Sequence, residues 1–395
     1  MSLEAVPGDE PKVDGLPAPS ALYLAGHATG ADASAGMATV TVVDVGPAIR
    51  RTAGATRGDE PGATHTHARG TDAARAAMAA DADADADADA AAVAERLVAS
   101  FRSTGFAVIT GHGVPRDLFD RICAVSAEFF ALPLAEKMAV GFPAPEVIRG
   151  YEPVPDDSGP ARAPNQMESL LINQLEPVGD YPAGSVEARL WRWPNLWPAR
   201  PAALRAVWEE YYRAMTALGE ALLELVALGV GLPRDWFAGH FDRHFNNLAV
   251  NHYPPRTDGP AGTETPRNRP HTDHGALTLL YRPSEPGGLE AFADGHWWQV
   301  PFLPGSLVIN VGDMLERWTG GLLPATPHRV ADSAGSAAGG RYSIAYFQQP
   351  NPDALIVPAL PPTSGRPDYT PVRAGEHISR KELGYHTVAA LDAHA

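Results

Sequence analysis

The chain of 395 residues contains a single cysteine, Cys123. One thiol closes no intramolecular disulfide and builds no cysteine-based metal cluster. A reducing, cytoplasmic setting is the expectation. Basic residues are also scarce: 31 Lys and Arg stand against 47 Asp and Glu, a formal net charge of −16. Nucleic-acid binders present a basic surface, so the charge argues against that class of partner. Long apolar runs are missing too. The longest, ALGEALLELVALGVGL at 217–232, is broken by Glu220 and Glu224 and reads as a buried or amphipathic helix, too short to span a membrane. The N-terminal MSLEAVPGDEPKVDG has no basic-then-apolar signal pattern, and no internal repeat is visible. The expectation is a protein without membrane or nucleic-acid partners. Hydrophobic residues make up 45% of it, enough for a sizeable core.

Residues 1–38 are rich in Ala, Gly and Pro and read as a flexible leader. VTVVDVG (40–46) is a strand. Residues 52–90 lapse into low complexity and end in DADADADADA, where Asp81, Asp83, Asp85, Asp87 and Asp89 repel one another. That composition predicts disorder or a frayed helix in place of packed structure. From 91 a helix, the strand FAVIT and a second helix from Pro115 follow. Residues 141–200 are Pro-rich and irregular, in the manner of a binding wall or lid. A long helix covers 201–232, with a shorter one near 233–244. From 247 the texture changes to short β-rich runs (NLAVNHY, ALTLLY, GLEAF, HWWQVP, SLVINVG, HRVAD, RYSIAYF) parted by turn residues. This predicts a sandwich or barrel.

Within that region lies PHTDHGALTLLYR, residues 270–282. In an extended strand, side chains at i and i+2 share a face. His271 and Asp273 then point together and His274 points away. One imidazole and one carboxylate need a further ligand, and His328 in TPHRV opens a later candidate strand. Two histidines and one carboxylate form the facial triad of non-haem Fe(II), which leaves positions for a co-substrate and O2. Arg341 and Ser343 make a second i, i+2 pair. A guanidinium forks onto a carboxylate and a hydroxyl adds another hydrogen bond, which suits the distal carboxylate of 2-oxoglutarate. His240 and His244 stand four apart with no third ligand in view and read as packing residues.

HTD, the later His328, RYS and the upstream NHYP (251–254) together resemble the isopenicillin N synthase-like family of Fe(II)/2-oxoglutarate-dependent dioxygenases. FRSTGFAVITGHGVP, EFFALPLAEKMAV, PGSLVINVGDMLERWTGG and ATPHRV extend the resemblance over roughly 40–50 and 91–350. The resemblance implies an α+β fold with a mainly β core, a double-stranded β-helix (jelly roll) with surrounding helices. It divides the chain into the leader, an N-terminal region at 39–240 carrying the 52–90 insertion, a catalytic core at 241–350, and a C-terminal extension at 351–395 ending in a helix. It implies iron ligation by His271, Asp273 and His328, and 2-oxoglutarate binding by Arg341 and Ser343, with Asn251 and Tyr253 beside them. It also offers Glu168 as a residue lining the pocket entrance. Arg149, Tyr151 and Phe347 are further candidates for the substrate wall. The implied activity is oxidation of an unactivated C–H bond of a small-molecule metabolite, by hydroxylation, desaturation or ring closure, with release of succinate and CO2. Secondary metabolism is a suitable place for it, in a monomer or weak homo-oligomer. Two rivals are an Fe(II) oxidase that dispenses with 2-oxoglutarate and a non-catalytic jelly-roll ligand-binding protein.

Overall fold

The computed structural model describes residues 40–49, 71–144, 147–155, 165–176, 192–255, 266–284, 288–293, 295–331, 340–362, 364–365 and 368–381. The expected leader and residues 52–70 of the expected insertion lie outside the described residues.

Two sheets carry the site. In chain order their strands are β1 (Thr41–Asp44), β2 (Phe106–Thr110), β3 (Gly150–Glu152), β4 (Glu168–Ile172), β5 (Asn247–Tyr253), β6 (Asn268–His271), β7 (Leu277–Tyr281), β8 (Leu289–Ala293), β9 (His296–Gln299), β10 (Leu307–Val311), β11 (His328–Val330) and β12 (Arg341–Gln348). The larger sheet runs β1-β2-β10-β7-β12-β5-β4-β3 and the smaller β6-β11-β8-β9. Only the β1–β2 pairing is parallel among those described.

The period of two along each strand sorts the larger sheet into two faces. Leu307, Ile309 and Val311 of β10, Leu277 and Leu279 of β7, Ile344 and Tyr346 of β12, and Leu248 and Val250 of β5 enter the main core. That core also holds the apolar faces of three helices: α1 (Thr71–Thr104), α2 (Arg116–Phe130) and α3 (Leu204–Gly229). In α3 the buried Leu204, Trp208, Tyr211, Met215, Leu218, Leu222 and Leu225 recur at helical spacing. Gly229 lets α3 close on α1, because a Cβ there would stand 2.7 Å from the Ala94 carbonyl oxygen. The alternate residues look toward the smaller sheet. Phe106, Val108 and Val308 join Leu289, Ala291 and Val300 in a second apolar cluster between the two sheets. Two faced sheets with helices on one outer side make the jelly-roll arrangement.

Two expectations are refined. Of disorder or a frayed helix for the Asp-Ala tract, the structure has helix, and the tract belongs to α1. Its C-terminal continuation is packed through the buried Val93, Leu97, Val98 and Phe101, so the tract extends a helix already nucleated. Alanine, at every second position of the tract, is the strongest helix former. Asp87 also pairs with Arg234 at 3.5 Å. The second change concerns 141–200, read as irregular: it supplies β3 and β4, the edge of the larger sheet beyond β5. No helix among the described residues is long and apolar enough to cross a membrane.

Candidate active site

β6 and β11 pair antiparallel with His328 opposite His271. Asp273 completes a cluster whose ligand atoms all lie within 4.8 Å of one another. Asp273 Oδ1 stands 3.7 Å from His271 Nε2 and 3.6 Å from His328 Nε2. Each imidazole is oriented from behind. His271 Nδ1 donates to the Arg269 carbonyl at 2.7 Å and His328 Nδ1 to the Thr326 carbonyl at 3.2 Å. A carbonyl only accepts, so Nδ1 carries the proton and Nε2 offers a lone pair toward the cluster. The carboxylate is held the same way: Thr278 Oγ1 (2.5 Å) and Asn310 Nδ2 (2.6 Å) both donate to Asp273 Oδ2, which leaves Oδ1 facing the histidines. Burial and then the neighbouring His328 push His271 down to about 4, against the pull of Asp273. Burial alone would raise the Asp273 carboxyl, but the two imidazoles and the Thr278 and Asn310 hydrogen bonds outweigh it and the net direction is down. Two imidazoles that turn Nε2 inward and a carboxylate that turns Oδ1 toward them form the donor set that fits a divalent iron.

The strand rule reached this cluster by a route the structure amends. β6 stops at His271, and Asp273 sits in the loop beyond it. The helix α4 (Asp313–Trp318) places that loop instead. The Asp313 N–H donates to the Asp273 carbonyl, the Met314 N–H to Gly275 and the Gly312 N–H to Ala276, each at 2.9 Å. Gly312 permits the approach: a Cβ there would overlap the Gly275 carbonyl and stand 3.0 Å from Asp273 O. His274 lies outside the cluster, and its charge bears on Asp313. Asp313 is itself tied to Lys381 and His377 of a C-terminal helix at 374–381. His240 packs among Trp236 and Trp318, and His244 beside Tyr212.

A cavity that opens to solvent lies over the cluster. Its far wall is the β5–β12 ladder, in which Arg341 faces Tyr253 and Ser343 faces Asn251. The Arg341 guanidinium lies 4.4 Å from the Tyr253 ring centroid, and Asn251 Nδ2 donates to Ser343 Oγ at 3.4 Å. All four line the cavity, as does Phe347. Thr278, Asn310, Asn268 and Arg282 line it too, though the sequence reading singled out none of them. Asn310 and Thr278 carried a signal nonetheless: each is a polar residue in an apolar strand, and a buried polar group needs a partner.

Glu168, Tyr151 and Arg149 are placed elsewhere. Glu168 lies opposite His252, on the helix side of the sheet. Its carboxylate accepts from Lys137 Nζ (2.6 Å) and the Tyr151 hydroxyl (2.5 Å), and meets His252 Nδ1 at 2.7 Å. Arg149 is buried and donates to Gln174 Oε1 at 3.2 Å, and burial pushes its guanidinium down to about 10. None of the three lines the cavity. The cause is strand parity: Ser169 turns inward and Glu168, one residue earlier, outward.

Comparison with known proteins agrees with this geometry. The sequence profile of the 2OG-Fe(II) oxygenase superfamily matches residues 244–350, and that of the non-haem dioxygenase in morphine synthesis N-terminal region matches 78–200. The chain is 32% identical over 307 residues to validamycin A dioxygenase of Streptomyces hygroscopicus subsp. limoneus, covering 74% of this chain and 81% of that one. It is 30% identical over 300 residues to homoarginine-6-hydroxylase 2-ODD-233 of Oryza sativa subsp. japonica, covering 74% and 88%. Among solved structures, a putative 2OG-Fe(II) oxygenase family protein from Caulobacter crescentus superposes with a TM-score of 0.65 at 30% identity, covering 75% of this chain and 95% of that one. The dioxygenase for auxin oxidation in rice shares the fold, with a TM-score of 0.59 at 24% identity over 88% and 96%. With its His-Asp-His cluster at the mouth of a jelly roll, the chain belongs to the 2OG-Fe(II) oxygenase superfamily and is an Fe(II)/2-oxoglutarate-dependent dioxygenase acting on a small molecule.

Proposed function

We propose that His271, Asp273 and His328 hold the iron, and that Arg341 and Ser343, flanked by Tyr253 and Asn251, take the distal carboxylate of 2-oxoglutarate. The observation that carries this is the shared cavity: three convergent ligand atoms at one wall and a guanidinium with a hydroxyl at another. Fe(II) bound there with 2-oxoglutarate supplies O2 activation, coupling co-substrate decarboxylation to succinate with oxidation of an unactivated C–H bond. The protein's own residues orient and exclude. The Nδ1 hydrogen bonds fix both imidazoles, Thr278 and Asn310 fix the carboxylate, and Tyr253 supports the guanidinium from its ring face. Phe347, Leu280 and Ala345 give the cavity an apolar side that keeps water from the reacting carbon. Asn268 and Arg282 give it a polar one, suited to a small metabolite bearing hydrogen-bonding groups. The relatives named for validamycin A and homoarginine act on molecules of that kind. A monomer or weak homo-oligomer, cytoplasmic and without nucleic-acid or membrane partners, belongs to the same reading and fits the acidic composition.

The test is a screen of metabolites for stimulated succinate release with Fe(II), ascorbate and 2-oxoglutarate. Turnover that survives rigorous omission of 2-oxoglutarate would overturn the co-substrate assignment. His328→Ala is expected to abolish Fe(II) binding and His274→Ala to leave it nearly intact; the opposite pattern rejects the ligand set.

A further inference from the structure

On the cavity face, Ser169 of β4, Asn251 of β5 and Ser343 of β12 stand in one row, each opposite the next in the strand register. Ser169 and Ser343 are both buried, 3% and 6% exposed. The Ser169 hydroxyl donates to Asn251 Oδ1 at 2.8 Å, and Asn251 Nδ2 donates to Ser343 Oγ at 3.4 Å. The direction of this chain matters. A carboxamide accepts only at oxygen and donates only at nitrogen, and a carboxylate only accepts. Ser343 has one hydroxyl hydrogen. Were the Asn251 amide turned the other way, its oxygen would claim that hydrogen and leave a lone pair facing the carboxylate. In the arrangement found here Ser169 holds Oδ1, the amide nitrogen fills an acceptor site of Ser343, and the Ser343 hydrogen remains available to an anion; the Ser169 hydroxyl accepts as readily as it donates, so its part is to anchor the amide against Ser343.

We propose that Ser169 is a positioning residue for the co-substrate: by anchoring Asn251 it holds the Ser343 hydroxyl in place and thereby supports the preference for a 2-oxo diacid over a 2-oxo monoacid. This rests on the assignment of Arg341 and Ser343 to the distal carboxylate. Glu168, the neighbour with the more conspicuous chemistry, has no part in it, since it faces the other side of the sheet.

The experiment measures equilibrium binding of 2-oxoglutarate and of pyruvate to the Mn(II)-loaded full chain by anaerobic calorimetry. Pyruvate shares the 2-oxo acid head and lacks the distal carboxylate. Ser169→Ala removes one neutral hydrogen bond, which corresponds to about a 3- to 10-fold weakening for 2-oxoglutarate, with pyruvate unchanged. Ser169→Cys keeps the volume and weakens the donor, so it covers the case in which the alanine variant folds poorly, and the same selective loss is expected. Ser169→Thr, which keeps the hydroxyl, restores tight binding. In a Ser343→Ala background, Ser169→Ala is expected to add less than about 2-fold, because its effect passes through Ser343. Equal weakening for both acids, an undiminished effect in the Ser343→Ala background, or no effect at all would overturn the relay. An unmodified protein with no preference for 2-oxoglutarate over pyruvate would overturn the carboxylate assignment and the relay together. A preference abolished by Arg341→Gln but kept in Ser169→Ala would overturn the relay alone.

Discussion

Asp273 is the ligand most dependent on its surroundings, and Asn310→Ala tests how much. The carboxylate lies in a loop, and its non-facing oxygen Oδ2 accepts from Asn310 at 2.6 Å and Thr278 at 2.5 Å. Hydrogen bonds to a charged group contribute roughly 1.5–3 kcal/mol each. If most of that is orientation of Oδ1 toward the metal, losing one donor weakens metal binding by about 10- to 100-fold. An opposing effect exists, since a carboxylate stripped of donors is a stronger base toward a cation. Rotation of the freed carboxylate and competition from protons are expected to outweigh it. The Asn310 bond is among the causes that hold the Asp273 carboxyl low against the upward push of burial. Without it the carboxyl titrates at higher pH, so the variant should lose metal at a higher pH than the unmodified protein as the solution is acidified. Thr278→Val should act in the same direction. The double variant should lose less than the product of the two, because both donors serve one oxygen. Competition with a chromophoric chelator, repeated across pH, reads all of this. Affinity within about 2-fold of the unmodified protein for both single variants would refute the reasoning.

Three further outcomes follow from other parts of the structure. Gly312→Ala should push the Asp273–Gly275 loop off α4, costing about 1–3 kcal/mol of stability together with metal affinity, measured by urea unfolding and metal titration; unchanged values would mean the loop is not set by that contact. Glu168→Gln leaves Lys137 buried without its counter-charge and should cost about 3–5 kcal/mol at neutral pH. Burial raises the Glu168 carboxyl, but the His252, Lys137 and Tyr151 contacts bring it net below its ordinary value. Its stabilisation is therefore full above the unfolded carboxyl range, about 4.3, and lost as pH falls through the lower folded value. The gap between the two proteins should close on acidification, and a gap independent of pH would count against the ion cluster. Lys381→Met removes the cation paired with Asp313 and 3.5 Å from Thr272 Oγ1. It should weaken metal binding several-fold while Lys381→Arg retains it, and equal loss in both would assign Lys381 a packing role only.

How much of this could be read from the chain depends on whether the cause was local. The cores of β7, β10 and β12 were readable because LTLLY, LVINV and the alternation of RYSIAYF are patterns within single strands. The same alternation placed Arg341 and Ser343 on one face. The partnership of His271 with Asp273 was anticipated from a strand that in fact ends at His271; α4, some forty residues downstream in the chain, supplies the hydrogen bonds that bring Asp273 back. Nothing near PHTDHG announces that helix. Ser169 and Glu168 are adjacent, and only the β4–β5 register, a contact across more than eighty positions, decides which of them faces the cavity. The Asp-Ala tract is the complementary case: repulsion among its aspartates is local, whereas the packing of Val93, Leu97, Val98 and Phe101 that carries the helix through it is not. The cavity wall is thus specified by register more than by composition. A slip of one residue in β12 would exchange Arg341 and Ser343 for Tyr342 and Ile344 and bury a guanidinium against the helices. The core residues of the opposite face, Ile344 and Tyr346 among them, are therefore as necessary to co-substrate binding as the side chains in the cavity.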